Sequence, residues 1–117
     1  MTSQVHPNSF LSNKVKLGSN VIIGPFCNLD GNIEIEDNTE LKSHISVSGN
    51  IKIGKNNIFY PFSHIGCDPQ DLKFKGEDST LIIGDSNIFR ENVTISKGTL
   101  DGGMLTQIGN NNLLMTG

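Results

Sequence analysis

The chain has 117 residues, a formal net charge of −3 and 35% hydrophobic residues. A chain of this length forms a single domain with a modest core. It shows neither a signal-peptide pattern in residues 1–10 nor an apolar run of about 18 residues, so we expect a cytoplasmic protein without a transmembrane segment. The single arginine, Arg90, provides no basic stripe, and nucleic-acid binding is therefore not expected.

Large apolar residues recur at every sixth position through the first half of the chain. They are Val5, Leu11, Leu17, Ile23, Leu29, Ile35, Leu41, Val47, Ile53, Phe59 and Ile65. Each six-residue unit supplies a short strand, in which apolar residues two apart share a face, followed by a Gly or polar corner. Three units close a triangular coil of about 18 residues, and stacked coils form a parallel β-helix. The sequence therefore predicts an all-β fold of hexapeptide repeats, with about six coils in one domain, 1–117.

Asparagines mark the predicted corners of these coils. Each lies three residues after a periodic apolar residue, and they are Asn20, Asn32, Asn38, Asn50 and Asn56. Asn and Gly enter the left-handed backbone region at low cost, which is what a sharp corner requires. We therefore predict left-handed corners at these positions.

Two interruptions break the period. The two periodic positions after Ile65 are Asp71 and Glu77, and an apolar core strongly disfavours unpaired carboxylates. A first excursion from the coil is therefore predicted at about 67–80. The period resumes at Ile83, Phe89 and Ile95, and a second excursion at about 97–105 shifts its phase by one residue before Ile108 and Leu114. In repeat proteins such insertions project from one face and often form the binding surface.

The first excursion carries candidate ligand-binding side chains. Gln70, Asp71 and Lys73 combine hydrogen-bond donors, acceptors and a cation within four residues, which suits a polyhydroxylated, phosphorylated ligand such as a nucleotide sugar. A plain solvated loop is the alternative interpretation. Cys27 and Cys67 lie far apart without a CxxC motif, so we expect free thiols and neither a zinc site nor a disulfide.

Six stretches of sequence match one protein family in order and in spacing, from about Val5 to Gly117. They are IGPFC at 23–27, LKSH at 41–44, PQDLKF at 69–74, IFRENVTI at 88–95, GT with GG at 98–99 and 102–103, and NNLLM at 111–115. They resemble the bacterial UDP-N-acetylglucosamine O-acyltransferases of lipid A biosynthesis. A general hexapeptide protein would share the period but not these stretches. The resemblance implies that the β-helix is left-handed.

The resemblance also implies an activity. Enzymes of this family are homotrimers that transfer a 3-hydroxyacyl chain from acyl carrier protein to the 3-hydroxyl of UDP-N-acetylglucosamine, with active sites between subunits and no cofactor or metal. By this resemblance, Gln70 and Asp71 contact ligand hydroxyl or amide groups. Lys73 then meets a phosphate or a polar oxygen of the acyl group.

The sequence departs from the family at two places. Family members commonly carry a binding histidine where this chain has Ser96, and serine donates a hydrogen bond but does not become a cation near neutral pH. The family's catalytic histidine, a general base, belongs to an HIAHDC-like segment after NNLLM, whereas this sequence ends at Gly117. We therefore expect a truncated form, with no catalytic residue present and without the C-terminal coils and helical domain of the family.

Two other functions remain open. One is a catalytically inactive β-solenoid that binds a nucleotide sugar or serves only in assembly, and the other is a different hexapeptide acyltransferase, acting on serine, a galactoside or an acylated glucosamine. His44 and His64 occupy different repeat phases and His6 lies near the N-terminus, so we expect neither a substitute base nor the metal triad of a carbonic-anhydrase-like protein. For Arg90 and Glu91 a structural ion pair is predicted.

Overall fold

A computed structural model describes residues 2–67, 80–96 and 105–115 of the chain, and every regular element in these ranges is a β-strand. The strands are β1 (Gln4–Val5), β2 (Phe10–Leu11), β3 (Lys16–Leu17), β4 (Ile22–Ile23), β5 (Asn28–Ile35), β6 (Glu40–Leu41), β7 (Ser46–Ile53), β8 (Ile58–Phe59), β9 (His64–Cys67), β10 (Thr80–Ile83), β11 (Ile88–Phe89), β12 (Thr94–Ser96), β13 (Leu105–Ile108) and β14 (Leu113–Leu114). The pairings between them are all parallel in this part of the chain. The predicted all-β, parallel architecture is confirmed.

The strands build three flat faces of a solenoid. Face 1 is the six-stranded sheet β1-β4-β6-β8-β11-β14. Face 2 contains β2, the first half of β5, the first half of β7, β9 and β12. Face 3 contains β3, the second halves of β5 and β7, β10 and β13. Strands β5 and β7 thus run through the corner between faces 2 and 3 without a break.

Strand register shows that both interruptions return the chain to its original column. On face 1, Ile23 pairs with Leu41 and Leu41 pairs with Phe59, so each of these steps is one uninterrupted coil of three repeat units. Phe59 then pairs with Phe89, and Phe89 pairs with Leu114. The first excursion therefore lengthens its coil by two whole repeat units, and the second lengthens its coil by one repeat unit and one further residue. The predicted resumption of the period, including the phase shift of one residue, is confirmed.

The strands extend slightly further into both predicted excursions than the sequence indicated. Cys67 pairs with Ser96, while Thr80 pairs with both Asn50 and Leu105, so these end residues belong to strands. Parallel pairing with the neighbouring coil extends the strands into the predicted loop ends. We therefore call residues 68–79 the first excursion and residues 97–104 the second excursion; both lie outside the described residues.

The core is the inward column of each face. The periodic residues from Ile23 to Ile65 are buried, whereas Val5, Leu11 and Leu17 in the first coil are more exposed. Phe59 and Phe89 stack with their ring centroids 4.3 Å apart and their ring planes nearly parallel, across the coil that contains the first excursion. Burial of one such side chain contributes roughly 1.5–3 kcal/mol. The core is thus continuous past the point at which the chain leaves the coil.

The corner between faces 3 and 1 is left-handed, as predicted for Asn20, Asn38 and Asn56, whose φ angles are 58°, 64° and 60°. Ser86 and Asn111 continue this row of left-handed residues in the later coils. Asn tolerates this backbone conformation better than most residues because its short polar side chain forms local hydrogen bonds.

The prediction of left-handed corners at Asn32 and Asn50 is wrong. Both residues lie within strands, where they pair with each other. The glycines that precede them, Gly31 and Gly49, hold the positive φ angles instead, at 141° and 101°. A Cβ atom on Gly31 would overlap the backbone of Gly49, so the two coils approach closely here. The glycine pair therefore carries the bend and leaves the asparagines extended.

Buried polar side chains link successive coils beneath the left-handed corner. The side-chain amide of Asn57 donates to the Gly84 carbonyl at 2.8 Å, and its Oδ1 accepts from the Asn87 backbone N–H at 2.8 Å. Asn87 repeats both bonds one coil further on, with Gly109 and Asn112. Buried polar groups are stable only when they are hydrogen-bonded in this way. The ladder therefore fixes the register of the last three coils.

Replacement of Gly24 by alanine tests how closely the coils stack. A Cβ atom there would overlap the Lys42 backbone carbonyl, which cannot move aside as a flexible side chain could, whereas a Cβ atom on Gly109 meets nothing within 4 Å. We expect Gly24→Ala to lower the free energy of unfolding by about 2–3 kcal/mol and Gly109→Ala to change it by less than about 0.5 kcal/mol. Chemical denaturation of the two variants measures both values, and equal losses would contradict the close stacking.

Candidate functional site

The two excursions leave the solenoid at one corner. Strand β9 ends at Cys67 and strand β12 ends at Ser96, and these two residues are paired on adjacent coils. The chain returns at Thr80 and at Leu105, which are also paired. Adjacent strands lie about 4.8 Å apart, so the two excursions start and finish one above the other. The described ends of two segments that are distant in sequence therefore lie together at the corner between faces 2 and 3.

A glycine bulge lies where the first excursion begins. Ile65 pairs with Ile95, but Ser96 pairs with Cys67, so Gly66 is the extra residue of a β-bulge. Gly66 has a φ of 79°, and a Cβ atom there would overlap the Ser48 carbonyl and crowd Ile51. Bulges bend a strand and redirect the chain, frequently beside functional sites. Sequence reasoning missed Gly66, although a glycine directly after a periodic residue and before an interruption is the available signal.

Of the four predicted ligand-binding residues, the structure describes Ser96 alone. Gln70, Asp71 and Lys73 belong to the first excursion, which lies outside the described residues. Ser96 is the last residue of β12, and its backbone is placed directly at the start of the second excursion. The structure therefore describes the rigid base to which the candidate residues are attached.

The three histidines are separated on the solenoid. His44 lies at the corner between faces 1 and 2, packed between Phe26 and Phe62. His64 is exposed on face 2, in register with Ser46 and Thr94. His6 is in the first coil, where its Nδ1 accepts a hydrogen bond from the Asn8 backbone N–H at 3.1 Å. The predicted difference in repeat phase is confirmed, and within 2–67, 80–96 and 105–115 no three His, Cys, Asp or Glu side chains cluster as a metal site.

Charged residues near face 1 form structural contacts. The Arg90 Nε atom lies 3.2 Å from Glu91, which confirms the predicted ion pair. The Arg90 guanidinium also lies 4.0 Å from the centre of the Tyr60 ring, and the Lys42 amine lies 5.2 Å from that centre. These contacts are on a different face from the excursions.

Cys27 is a core residue. Its side chain is 2% exposed and unpaired with another cysteine. Burial raises the pKa of the Cys27 thiol above its ordinary value, and hydrogen bonds with the Ile45 backbone and the Ser9 side chain offset only part of this rise. Because the thiolate is the reactive form, Cys27 is not a nucleophile in the folded chain near neutral pH.

Comparison with known proteins identifies the relatives of the chain. No protein-family model matches it. The acyl-[acyl-carrier-protein]–UDP-N-acetylglucosamine O-acyltransferase of Rickettsia bellii (strain OSU 85-389) is 48% identical over 115 residues, which cover 98% of this chain and 41% of that protein. The crystal structure of a UDP-N-acetylglucosamine acyltransferase from Bacteroides fragilis 9343 matches with a TM-score of 0.92 and 46% identity, over 97% of this chain and 44% of that one. The chain is a homologue of the UDP-N-acetylglucosamine O-acyltransferases.

A second solved structure agrees with this assignment. The UDP-N-acetylglucosamine O-acyltransferase from Moraxella catarrhalis RH4 matches with a TM-score of 0.93 and 43% identity, over 96% of this chain and 44% of that one. The fold of this acyltransferase homologue is therefore the predicted left-handed parallel β-helix. The chain spans 41–44% of the length of these three relatives. In its described part, no helix is long and apolar enough to span a membrane.

Alkylation of Cys27 tests its structural role. In a Cys67→Ser background, we expect iodoacetamide to label the native protein only as fast as the fold opens, because the thiol is buried and its pKa is raised. The same variant in denaturant should react at the rate of a free thiol. Mass spectrometry follows the reaction, and rapid labelling of the native protein would show that Cys27 is accessible.

Proposed function

We propose that the chain forms the sugar-nucleotide-binding part of an acyltransferase of lipid A biosynthesis. The reaction transfers a 3-hydroxyacyl chain from acyl carrier protein to the 3-hydroxyl of UDP-N-acetylglucosamine. The observation that carries this proposal is the shared corner of the two excursions, on a β-helix homologous to proteins named for this activity. The face from which such insertions project is often the binding face of a repeat protein.

The proposed chemistry assigns binding and orientation to residues at this corner. The sugar hydroxyl oxygen attacks the thioester carbonyl carbon, the carbon–sulfur bond breaks, and acyl carrier protein leaves as its thiol. In the family a histidine of an HIAHDC-like segment removes the hydroxyl proton, and that motif is not among the 117 residues. Orientation of the two reactants can by itself lower the activation free energy by roughly 7–11 kcal/mol in the best cases, which increases the rate by several powers of ten.

The individual roles come from the family resemblance and are consistent with the chemistry of the side chains. Gln70 and Asp71 are proposed to hold hydroxyl or amide groups of the sugar, since together they offer an amide and a carboxylate. Lys73 is proposed to meet a phosphate or a polar oxygen of the acyl group through its ammonium. Ser96 is proposed to donate a weaker, neutral hydrogen bond from the end of β12.

The cellular location, oligomeric state and acyl donor that we propose come from the family resemblance. We propose a cytoplasmic homotrimer that uses acyl carrier protein as acyl donor and requires no metal or organic cofactor. A second candidate function, a catalytically inactive β-solenoid that binds the nucleotide sugar, is favoured by Ser96 at the position of the family's binding histidine.

Titration with UDP-N-acetylglucosamine tests the proposed site. We expect Lys73→Ala to raise the dissociation constant about tenfold or more, because a hydrogen bond to a charged group contributes about 1.5–3 kcal/mol. Lys55→Ala is the matched control, since Lys55 is exposed beside the left-handed corner at Asn56, away from the excursions. Isothermal titration calorimetry gives both constants, and equal effects of the two substitutions would place the ligand elsewhere.

The alternatives give different results in the same experiments. Binding of the sugar nucleotide without acyl transfer from 3-hydroxyacyl carrier protein would support the inactive solenoid. Failure of the chain to bind UDP-N-acetylglucosamine would contradict the sugar-nucleotide assignment. Acyl transfer to serine, a galactoside or an acylated glucosamine would then indicate a different hexapeptide acyltransferase.

A further inference from the structure

Face 2 differs from the other two faces in its outward side chains. Strand pairing stacks its outward column in the order Phe10, Asn28, Ser46, His64 and Thr94. The outward columns of faces 1 and 3 include carboxylates, at Glu40 and Glu34. Between Phe10 and Thr94, the described column of face 2 contains polar groups and no carboxylate. Face 2 is therefore the face whose outward column is best suited to an anionic ligand.

His64 differs from the other two histidines in its hydrogen bonding. The Nδ1 atom of His6 accepts a hydrogen bond from the Asn8 backbone N–H at 3.1 Å. The Nδ1 atom of His44 lies 3.2 Å from the Ser43 hydroxyl, and its ring packs between two phenylalanine rings. The His64 imidazole is exposed and forms no hydrogen bond or ion pair with any part of the chain that the structure describes. Both of its ring nitrogens are therefore available to a ligand.

Two hydroxyl groups flank the His64 imidazole on the neighbouring coils. Ser46 pairs with His64 on one side and Thr94 pairs with it on the other, each at a strand spacing of about 4.8 Å. Neither hydroxyl forms a hydrogen bond within the described ranges of the chain. A protonated imidazole donates from both ring nitrogens, and each hydroxyl donates once. The three side chains thus place several free donors side by side, an arrangement that matches the several oxygens of a phosphate group.

This row of donors lies next to the place where both excursions begin. His64 is the first residue of β9 and Cys67 is its last, so three residue steps of about 3.3 Å separate His64 from the first excursion. Of the four residues proposed to bind the sugar nucleotide, Lys73 alone carries a positive charge. The diphosphate of a sugar nucleotide carries a negative charge on each phosphate. A second cation beside the excursions therefore complements the charge of the proposed ligand.

We propose that His64, between Ser46 and Thr94, binds a phosphate group of the sugar nucleotide. The imidazole, whose ordinary pKa lies close to neutrality, donates to a phosphate oxygen as a cation when it is protonated. The two hydroxyls donate to the remaining oxygens of the same group. This inference rests on the proposed function and extends it, because it assigns part of the ligand to side chains on paired strands of face 2. His64 acts here as a binding residue and removes no proton from the sugar.

NMR of the histidine rings tests the phosphate contact directly. The full chain has three histidines, so the spectrum of His64→Gln identifies the ring signals of His64 by their loss. We expect UDP-N-acetylglucosamine and UDP to shift these signals in the wild type and to leave those of His6 and His44 unchanged. Uridine, which has the base and ribose but no phosphate, should leave all three rings unchanged. A shift of His64 by uridine as large as that by UDP would contradict the phosphate contact.

Calorimetric titration measures what the contact contributes to affinity. We expect His64→Gln to raise the dissociation constant for UDP-N-acetylglucosamine about tenfold, because it removes a charged donor to phosphate. The matched control, His6→Gln on the first coil, should leave this constant unchanged, and neither substitution should change the thermal midpoint, since both side chains lie outside the core. If the wild type binds and His64→Gln binds equally well, the inference is overturned while the proposed function stands. If the wild type does not bind, both are overturned.

Discussion

Stacking of equivalent residues on successive coils is the constraint on which the whole structure depends. Backbone hydrogen bonds run from each coil to the next, for example from Gly24 to the Leu41 carbonyl and from Lys42 to the Phe59 carbonyl, at 2.8 and 3.0 Å. Because these bonds fix the register, every inward side chain rests on its counterpart in the coil below. Any inserted segment must return the chain to the same column, as both excursions do.

This constraint separates the parts of the chain that hold the fold from those free to bind a ligand. The buried columns and the Asn57–Asn87–Asn112 ladder tie the coils together from inside. The chain can then leave the coil twice at the corner between faces 2 and 3 without exposing the core, because Ile65 and Ile95 remain paired just before the two excursions begin. The proposed ligand site is therefore attached to strands that stay paired.

The sequence period predicted most of the fold because it records which side chains point inward. It also located the first excursion, since carboxylates at Asp71 and Glu77 do not fit an inward column, and the second, since the period shifts by one residue before Ile108. The period does not record corner geometry, which depends on contacts between neighbouring coils. Gly31 and Gly49 both hold positive φ angles, and a Cβ atom on Gly31 would overlap Gly49, so the bend falls on the glycines and Asn32 and Asn50 stay in strands. The family resemblance, not the period, supplied the candidate roles of the excursion residues.

The longer step from Phe59 to Phe89 has a thermodynamic consequence. Closing a coil that is two repeat units longer reduces chain entropy, but this entropy depends only on the logarithm of length, so the added penalty is about 0.5 kcal/mol. The inward residues before and after the first excursion keep the pairing of an uninterrupted coil, as Phe59 with Phe89 and Ile53 with Ile83 show. A solenoid of this kind can therefore gain, lose or lengthen a binding loop at a corner with little change in its stability.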